Sequence, residues 1–478
     1  MALDLFLEEL RRPAAGEARQ QRLYRLLKQA IVNGRLGAGL RLPASRRLAV
    51  DAGMARNCVL HAYQQLLAEG FLVADRGGTR VASLPAPSRL PPPVPASGVL
   101  SRRAATLSAS SRGEPTLPFA PGVPDLNAFP WPLWSRLLQD AWRAVGARHL
   151  AYAEVGGEPA LRQAVASFLG ARRGVVCTAA QVFILPGAQA ALDACARLLA
   201  DPGDIAWVEE PGYPVARNTL LAAGLTVQSV AVDGQGMAAP DALWRERPPR
   251  LLHLTPSHQY PGGSVLALER RLAFLARLVP GQHWLIEDDY DSEFCHARPL
   301  PAIQGLRPEA PVVYLGTFSK LLYPGLRIAY LVLPRWAVDS FGQALGELHR
   351  GGQAVEQRAL ARFLDSGRLT RHLRTMAPIY RERQRVLREA LVQYFPGARI
   401  AGGDAGLHLV LHLPGRAPDT AIVAAAAGQG VAARALSRYS ADGPGDNGLV
   451  LGYGMAEAAI IPELVRRLSV AAAQAEMA

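Results

Sequence analysis

The lysine at position 320 is the residue whose type and context most strongly suggest covalent chemistry. Of the 52 lysine and arginine residues in the chain, only Lys28 and Lys320 are lysines. Arginine supplies positive charge as well as lysine does, but its guanidinium does not lose a proton to become a nucleophilic amine. A lysine in a chain that otherwise uses arginine therefore favours a residue that forms an imine with an aldehyde. A solvated lysine in a turn is the alternative, and this stretch alone leaves it open.

The residues around Lys320 add groups that bind a phosphate monoester. Val312–Leu315 predicts a short buried strand, and the turn after it carries the hydroxyl groups of Thr317 and Ser319. Arg327 follows seven residues after the lysine. Hydroxyl groups and a guanidinium beside an imine-forming lysine suit an aldehyde that carries a phosphate.

Length and charge predict more than one domain and a partner of negative charge. A chain of 478 residues is too long for one ordinary domain. The formal net charge is +12, and residues 1–84 hold 13 Lys and Arg against 7 Asp and Glu. Residues 85–115 hold four basic residues against one acidic residue. This asymmetry favours an N-terminal region that faces nucleic acid, with a solvated basic surface as the alternative.

Cysteine usage and hydropathy predict a cytoplasmic protein. The four cysteines lie far apart and show no metal-ligand spacing, which predicts free thiols in a reducing compartment. Charged residues interrupt the first twenty positions, unlike a secretory signal, and no apolar run reaches membrane-spanning length.

Residues 1–84 predict a winged helix-turn-helix. Apolar residues from Leu23 to Ile31 recur at helical spacing, and Ser45 is a suitable N-cap for a short second helix. A third helix is predicted from about Ala55 to Glu69, with Val59, Leu60, Tyr63, Leu66 and Leu67 as its inner face. Two short strands then follow, and the whole order is that of a winged helix.

This region resembles the GntR-type DNA-binding domain. The resemblance lies in GLRLPASRRLAVDAGMARNCVLHAYQQLLAEGFL and in the wing RGGTRV. It implies contacts to double-stranded DNA through phosphates at the second helix, base edges at the third helix, and the minor groove at the wing. The residues it assigns to these contacts are Arg41, Ser45, Arg46, Arg56, Asn57, Arg76 and Gly78.

A linker and a larger α/β domain follow. Residues 85–115 are rich in proline, alanine and serine, which predicts an extended tether. Residues 116–478 alternate helical patterns with short apolar strands, which predicts a mainly parallel sheet covered by helices. Functional residues are then expected at the carboxyl ends of the strands. The predicted strands are Gln181–Leu185, Ile205–Val208, Leu251–Leu254, Trp284–Glu287, Val312–Leu315 and Ile328–Leu333.

Several candidate residues follow these strands. The small-residue turn at residues 186–189 opens a helix and offers backbone N–H groups to a phosphate, with a plain β-α turn as the alternative. Tyr213 could stack on a flat ring, with a packed core tyrosine as the alternative. Asp288, Asp289 and Asp291 form a carboxylate cluster that could bind a metal or keep a pyridinium nitrogen protonated. We favour the pyridinium because no His or Cys lies nearby in sequence at metal-ligand spacing, and we expect no metal.

Together these loops resemble a fold-type I pyridoxal-phosphate enzyme of the aminotransferase class. The motifs are PGAQAAL, EEPGYP, TPSHQYPGG, IEDDYDSEF and YLGTFSKLLYPGLR, and their fusion to a GntR-type module resembles the MocR/GabR subfamily. The resemblance implies pyridoxal 5'-phosphate as cofactor, with Lys320 as its aldimine-forming residue and Asp288 at the pyridine nitrogen. It further assigns Tyr290 and either Gln259 or His258 to the phenolic oxygen, Tyr213 to ring stacking, and Ala188, Gln189, Thr317, Ser319 and Arg327 to the phosphate.

The site for a substrate carboxylate departs from the aminotransferase pattern. Many aminotransferases use an arginine from a C-terminal strand, but Val450 stands at the corresponding position here. Arg438 is the first candidate to replace it and Arg434 the second, with a surface arginine as the alternative for both.

We therefore predict a dimeric transcriptional regulator that senses pyridoxal phosphate, or an amine or amino acid that reacts with it, through Lys320. The linker is long enough for domain swapping between the two subunits. One rival is an active aminotransferase with an appended DNA-binding module. Another is a DNA-binding protein whose second domain is an inactive dimerisation scaffold.

Overall fold

The computed structural model describes residues 18–83, 101–105, 117–295, 301–402, 405–441 and 445–477. The chain divides into two compact units, residues 1–99 and residues 100–478, and each has its own buried apolar core. Of the predicted linker, only residues 101–105 are described, and Arg102–Ala105 forms one short helix there. The domain limits inferred from the sequence stay predictions.

The first unit is a three-helix bundle followed by a hairpin. The apolar residues predicted to face inward between Leu23 and Ile31 are all buried in the first helix. The strands β1 (Leu72–Asp75) and β2 (Gly78–Val81) pair antiparallel and form the wing. The predicted winged helix-turn-helix is thus confirmed. Its elements are Arg19–Val32, Ser45–Asp51, Arg56–Ala68, β1 (Leu72–Asp75) and β2 (Gly78–Val81).

Two local predictions in this unit are wrong. Ser45 is the first residue of its helix and not the N-cap, a position that Ala44 occupies without a side-chain hydrogen bond. In the third helix, Leu60 is only partly buried, whereas Ala62, which was not predicted to face inward, is buried. Leu67 is partly buried and packs against the core, as predicted. Leu60 lies at the edge of the apolar stripe, where helical geometry turns a side chain away from the core.

The second unit is built on an eight-stranded sheet. Its strands are β3 (Val182–Leu185), β4 (Ile205–Glu210), β5 (Thr226–Asp233), β6 (Gly236–Met237), β7 (Leu251–Leu254), β8 (Trp284–Asp289), β9 (Val312–Thr317) and β10 (Ala329–Val332). Their order in the sheet is β3-β10-β9-β8-β7-β4-β5-β6. The pairs β4/β5, β4/β7, β7/β8 and β8/β9 are parallel, and β10 runs antiparallel to β3 and β9. The predicted mainly parallel sheet is confirmed.

A second, antiparallel sheet with the order β11-β12-β14-β13 lies in the C-terminal part of this unit. Its strands are β11 (Arg399–Ala401), β12 (His408–His412), β13 (Arg434–Ala435) and β14 (Gly448–Gly452). Among the described helices, none has the length and apolar character needed to cross a membrane. Besides Arg102–Ala105, the α-helices described in the second unit are Trp131–Arg143, Ala147–Leu150, Pro159–Arg173, Ala188–Leu199, Pro214–Ala222, Asp241–Glu246, Leu268–Arg277, Ile303–Leu306, Val338–Leu348, Ala354–Asp365, Arg368–Tyr394, Asp419–Gly428 and Ile461–Met477.

The central strands read as continuous apolar runs because helices cover both faces of the sheet. Every residue of β3, β7, β9 and β10 is buried. Such strands bury apolar side chains on both faces and hold the backbone in a fixed register. The loops that leave the carboxyl ends of β3, β4, β7, β8 and β9 therefore start from a rigid edge.

A buried ion pair ties this edge together. Arg173, at the end of its helix, donates from Nε to the Asp289 carboxylate at 2.7 Å, and both side chains are almost fully buried. The Tyr314 hydroxyl donates to the same carboxylate oxygen at 2.6 Å, and Arg173 Nη2 donates to Ser257 Oγ at 2.6 Å. The network connects one helix, β8, β9 and the loop after β7.

Replacing Arg173 with methionine is expected to lower the free energy of unfolding of this unit by about 3–5 kcal/mol, because Asp289 would remain buried without its cation. Denaturant unfolding followed by tryptophan fluorescence measures the loss. Arg143→Met is the matched control, since Arg143 pairs with Asp140 on an exposed helix surface and should cost at most about 1 kcal/mol. Equal effects of the two substitutions would contradict the structural role given to the buried pair.

Candidate functional site

The predicted chemical residues meet at one edge of the large sheet. Because β3, β4, β7, β8 and β9 point the same way, the loops after them come together. These loops supply Gly187, Tyr213, His258, Tyr290 and Lys320, respectively. Residues more than a hundred positions apart in sequence therefore face a common space.

Lys320 lies just after β9 with its amine turned into this space. Its Nζ donates to the carbonyl oxygen of Gly122 at 2.5 Å. Burial and the positive charge of Arg434 lower the pKa of the amine to about 8, against the opposing effect of Asp291 and Asp288. A Cβ on Gly122 would lie 2.7 Å from Nζ, so the close approach needs a residue without a side chain.

An anion cradle forms beside the lysine at the start of the helix Ala188–Leu199. Gly187 is the N-cap, and the first N–H groups of the helix, those of Ala188 and Gln189, have no partner within the helix. The Arg327 guanidinium lies against Gly187, since a Cβ there would be 2.7 Å from Arg327 Cζ. Helix N-terminus and guanidinium both favour an anion.

Two hydroxyl groups complete the cradle's candidate donors. Thr317 donates from Oγ1 to Ser319 Oγ at 3.1 Å, and the Ser319 N–H donates to Thr317 Oγ1 at 3.2 Å. The two side chains therefore hold each other in the turn directly before Lys320. The donor set of the cradle, N–H groups, hydroxyls and one guanidinium, fits a phosphate monoester.

The three carboxylates at and just after the carboxyl end of β8 do not converge. Adjacent residues of a strand face opposite sides of the sheet, so Asp288 lies 3.1 Å from His253 Nε2, whereas Asp289 faces away and pairs with Arg173. Asp291, in the loop, lies against His258. Asp288 is therefore a buried carboxylate held by one histidine, and its role at a heteroaromatic nitrogen stays a prediction.

The two candidates from the loop after β7 take different positions. The Gln259 amide group donates to the carbonyl oxygens of Pro211 and Tyr260, both at 2.8 Å, so its two hydrogens are already used within the loops. Its predicted contact with a phenolic oxygen therefore lacks a free donor. His258 lies behind Tyr290, whose hydroxyl donates to the His258 carbonyl oxygen at 2.9 Å.

Tyrosines form one wall of the space. Tyr213 precedes the helix Pro214–Ala222, and its ring lies 5.7 Å from that of Tyr260. The Tyr260 and Tyr439 hydroxyl groups lie 2.9 Å apart. Burial raises the pKa of Tyr213, and the charges of Asp288, Arg434 and Arg327 also act on its hydroxyl. Tyr213 is thus placed among the other predicted site residues.

The structure separates the two candidate arginines of the C-terminal part. Arg438 is exposed, whereas Arg434 is partly buried and its charge acts on Lys320, Tyr213 and Tyr439. In the antiparallel pair β13/β14, Arg434 lies directly opposite Val450. Directly opposite residues project to the same face of the sheet. Arg434 therefore lies next to the position of the expected arginine, and the choice between the two candidates stays a prediction.

Sequence reasoning missed four residues of the site. His253 is a polar residue within the buried run of β7, and that contrast was a usable signal. Tyr260 adjoins Gln259 in a motif that had been singled out for other residues. Gly122 and His408 carried no local signal, because only the fold brings them to Lys320 and His258.

The sequence argument against a metal, that no His or Cys lies nearby at metal-ligand spacing, does not extend to residues that the fold brings together. His258, Asp291 and His408 are buried, and their ligand-type atoms lie within 4.8 Å of one another. Asp291 pairs with His258 Nδ1 and His408 Nε2 with the Pro261 carbonyl oxygen, whereas His258 Nε2 has no hydrogen-bond partner among the described residues. That no metal binds here stays a prediction.

The first unit presents the predicted DNA-binding residues on its surface. Arg56 and Asn57 are exposed at the N-terminus of the third helix, and Arg76 is exposed in the turn between β1 and β2. The remaining four lie near the second helix or on the wing: Arg41, whose guanidinium contacts Gly78, together with Ser45, Arg46 and Gly78 itself. Within the described part of this unit, Arg46, Arg56 and Arg76 form no ion pair, so their charges are available to phosphates.

Gly187→Ala is expected to weaken binding of inorganic phosphate to the second unit by about ten- to a hundredfold, because the new Cβ displaces the Arg327 guanidinium. Titration calorimetry measures the affinity. Gly203→Ala is the matched control: its φ of +98° is close to the +97° of Gly187, but no atom lies within 4 Å of its Cβ position. If both variants bind phosphate equally, Arg327 and Gly187 do not form the cradle.

Comparisons with known proteins agree with both units. Residues 19–81 match the gntR family of bacterial regulatory proteins, and residues 131–446 match the aminotransferases of class I and II. Among solved structures, the chain is similar to LysN, an α-aminoadipate aminotransferase of Thermus thermophilus complexed with N-(5'-phosphopyridoxyl)-L-leucine. The TM-score is 0.71 at 28% identity, over 79% of this chain and 97% of that chain.

Relatives that extend over nearly the whole chain are regulators. The chain is 40% identical over 465 residues to a probable rhizopine catabolism regulatory protein MocR of Rhizobium meliloti, covering 93% of this chain and 91% of that protein. It is 32% identical over 432 residues to the pyridoxine biosynthesis transcriptional regulator PdxR of Corynebacterium glutamicum, covering 90% of each. With its winged helix-turn-helix and its fold-type I unit, the chain belongs to the MocR-like subfamily of GntR-type, DNA-binding transcriptional regulators with an aminotransferase-like domain.

Proposed function

We propose that this regulator binds pyridoxal 5'-phosphate covalently through Lys320 and controls transcription in response to the cofactor or to an amine that competes for it. The observation that carries the proposal is the amine of Lys320, held at the edge of the sheet between an anion cradle and a buried carboxylate. The names of the two relatives support regulation, since each names a regulator of a metabolic process. The solved relative with a phosphopyridoxyl ligand supports the choice of cofactor.

The residues present fit this cofactor. The cradle of Gly187, Ala188, Gln189 and Arg327 suits its phosphate, with Thr317 and Ser319 as hydroxyl donors. Asp288 would accept a hydrogen bond from its ring nitrogen, and Tyr213 would pack on its ring. Tyr290, whose hydroxyl donates to the His258 carbonyl oxygen here, would turn that hydroxyl to bond the phenolic oxygen. When bound, pyridoxal phosphate supplies an aldehyde carbon that reacts reversibly with primary amines.

Lys320 is suited to hold the cofactor reversibly. With a pKa of about 8, about a tenth of its amine is unprotonated at pH 7. Only that form can attack a carbonyl carbon. Gly122 accepts a hydrogen bond from Nζ and thereby orients the amine toward the site. An incoming amine must take the place of Lys320, which would free the lysine and change the loop that carries it.

Arg434 is the residue that we propose to select the incoming amine. Its position opposite Val450 directs its charge to the same space as Lys320. A guanidinium there favours an amine that also carries a carboxylate or another anionic group. The nearby pair of hydroxyls, Tyr260 and Tyr439, can accept or donate one further hydrogen bond.

The winged helix would contact an operator through the exposed residues Arg56, Asn57 and Arg76. A homodimer of the second unit would present two such modules, which favours repeated or inverted half-sites in the DNA. Exchange of amines at Lys320 would then alter the relative geometry of the two modules. Domain swapping across the linker is one way to join the site of one subunit to the DNA-binding unit of the other.

Arg434→Met is expected to weaken the response to amines that carry an anionic group by about ten- to a hundredfold, with little effect on matched amines that lack that group. The measurement is the amine concentration that gives half of the spectral change of bound pyridoxal phosphate. Arg438→Met is the matched control, because Arg438 is exposed. A larger loss in Arg438→Met than in Arg434→Met would restore Arg438 as the anion-binding residue.

Lys320→Ala is expected to abolish the absorption band of covalently bound pyridoxal phosphate and the response of DNA binding to amines, while DNA binding without ligand is retained. Absorbance spectra and fluorescence anisotropy with the upstream intergenic DNA measure the two effects. Lys28→Ala, at the only other lysine, should keep the band. A Lys320→Ala variant that still responds to its amine would refute the mechanism.

The rival function is transamination, which the similarity to LysN favours. Steady keto-acid production at ordinary enzyme rates, together with no specific binding to the upstream DNA at low or high salt, would establish it. Tight, salt-sensitive and specific DNA binding that changes with pyridoxal phosphate would establish the regulator. Both measurements use the full-length protein.

A further inference from the structure

A buried histidine and aspartate lie behind Tyr290, and neither belongs to the cofactor contacts described above. His258 comes from the loop after β7 and Asp291 from the loop after β8, and both are at most 2% exposed. His258 Nδ1 lies 3.0 Å from Asp291 Oδ2 and 3.0 Å from the Tyr290 hydroxyl oxygen. The two loops that carry the predicted cofactor residues are thus joined through one imidazole.

The hydrogen bonds around His258 indicate which of its two ring nitrogens carries the proton. Its Nε2 is buried and has no hydrogen-bond partner, so a proton there would be a buried donor without an acceptor. The neutral ring therefore carries its proton on Nδ1, where it can be donated to the Asp291 carboxylate. The Tyr290 hydroxyl then donates to the His258 carbonyl oxygen at 2.9 Å.

Among the charged and titratable groups around His258, Asp291 is the carboxylate that lies within hydrogen-bond distance of its ring. His408 from β12 faces the ring of His258 at 4.8 Å, and burial lowers the pKa of His408 to about 3, which leaves it neutral. Burial raises the pKa of Asp291, whereas the adjacent His258 lowers it. The other groups whose charges couple to Asp291 are Asp289, Lys320, Tyr290 and Tyr453.

We propose that His258 and Asp291 form a positioning pair that keeps one buried negative charge beside Lys320. The imidazole holds the carboxylate in its ionised form, and the ionised carboxylate supports the protonated state of the Lys320 nitrogen. The inference deepens the proposed function, because it concerns the protonation of the same lysine, and it can be tested without the cofactor.

The direction of the effect follows from the charges. Asp291 and Asp288 raise the pKa of Lys320, whereas burial and Arg434 lower it. Loss of the Asp291 charge must therefore lower this pKa further. Loss of the His258 donor favours the protonated, uncharged form of Asp291, and it must act in the same direction.

The test is competitive labelling of the cofactor-free, full-length protein with a trace of acetic anhydride at a series of pH values. Because the chain contains only two lysines, mass spectrometry of two peptides reports the reactivity of Lys320 with Lys28 as the internal standard. Asp291→Asn keeps the size of the side chain and removes its charge. The midpoint of the Lys320 labelling curve is expected to fall by about one pH unit.

Two histidine variants separate positioning from packing. His258→Leu removes the donor and should lower the midpoint as Asp291→Asn does, whereas His258→Asn retains an N–H near the place of Nδ1 and should restore most of the wild-type value. Asp339→Asn, at an exposed carboxylate, is the matched control and should leave the curve unchanged. An unchanged Lys28 curve in every variant validates the internal standard, and denaturant unfolding followed by tryptophan fluorescence shows that the second unit, which holds all the tryptophans, is intact.

Unchanged Lys320 midpoints in Asp291→Asn and His258→Leu would overturn the proposed pair. The expected labelling shifts in the variants, together with no absorption band when the wild-type protein is mixed with pyridoxal phosphate, would instead refute the proposed function. The two failures are therefore distinguishable. In the loaded protein, the same substitutions should move the pH at which the absorption band changes in the same direction.

Discussion

The positive charge of a partly buried lysine amine must be balanced by the groups around it. The second unit is arranged around that balance of charges at Lys320. Burial and Arg434 oppose the charge of Lys320, whereas Asp288 and Asp291 support it. These four residues come from β13, the end of β8, and the loops that follow β8 and β9, so a rigid sheet is needed to keep their separations fixed. The fully buried parallel strands and the Arg173–Asp289 pair supply that rigidity.

The segment from Asp288 to Asp291 shows how a strand distributes neighbouring side chains among different tasks. Asp288 meets His253, Asp289 meets Arg173 on the opposite face, and Asp291 meets His258. Tyr290, between Asp289 and Asp291 in the sequence, faces the candidate site. A cluster that reads as one carboxylate site in sequence is therefore three separate, individually paired carboxylates.

The small antiparallel sheet distinguishes this chain from the common aminotransferase pattern. Val450 packs among Tyr260, Tyr439 and Leu436, and the positive charge is displaced to Arg434 on the adjacent strand. Arg434 therefore lies beside the position where many aminotransferases have an arginine, and two tyrosines pack against Val450.

The sequence by itself determined the two folds, the lysine and the main cofactor candidates, because hydrophobic periodicity and strand-end motifs are local properties. It therefore predicted Lys320, Asp288 and the N-terminal turn of the helix Ala188–Leu199. Tertiary structure decided what depends on contacts between distant residues. The carbonyl of Gly122 at Lys320, the strand register that favours Arg434 over Arg438, and the pairing of His258 with Asp291 all arise from strands and loops that meet only in the folded chain.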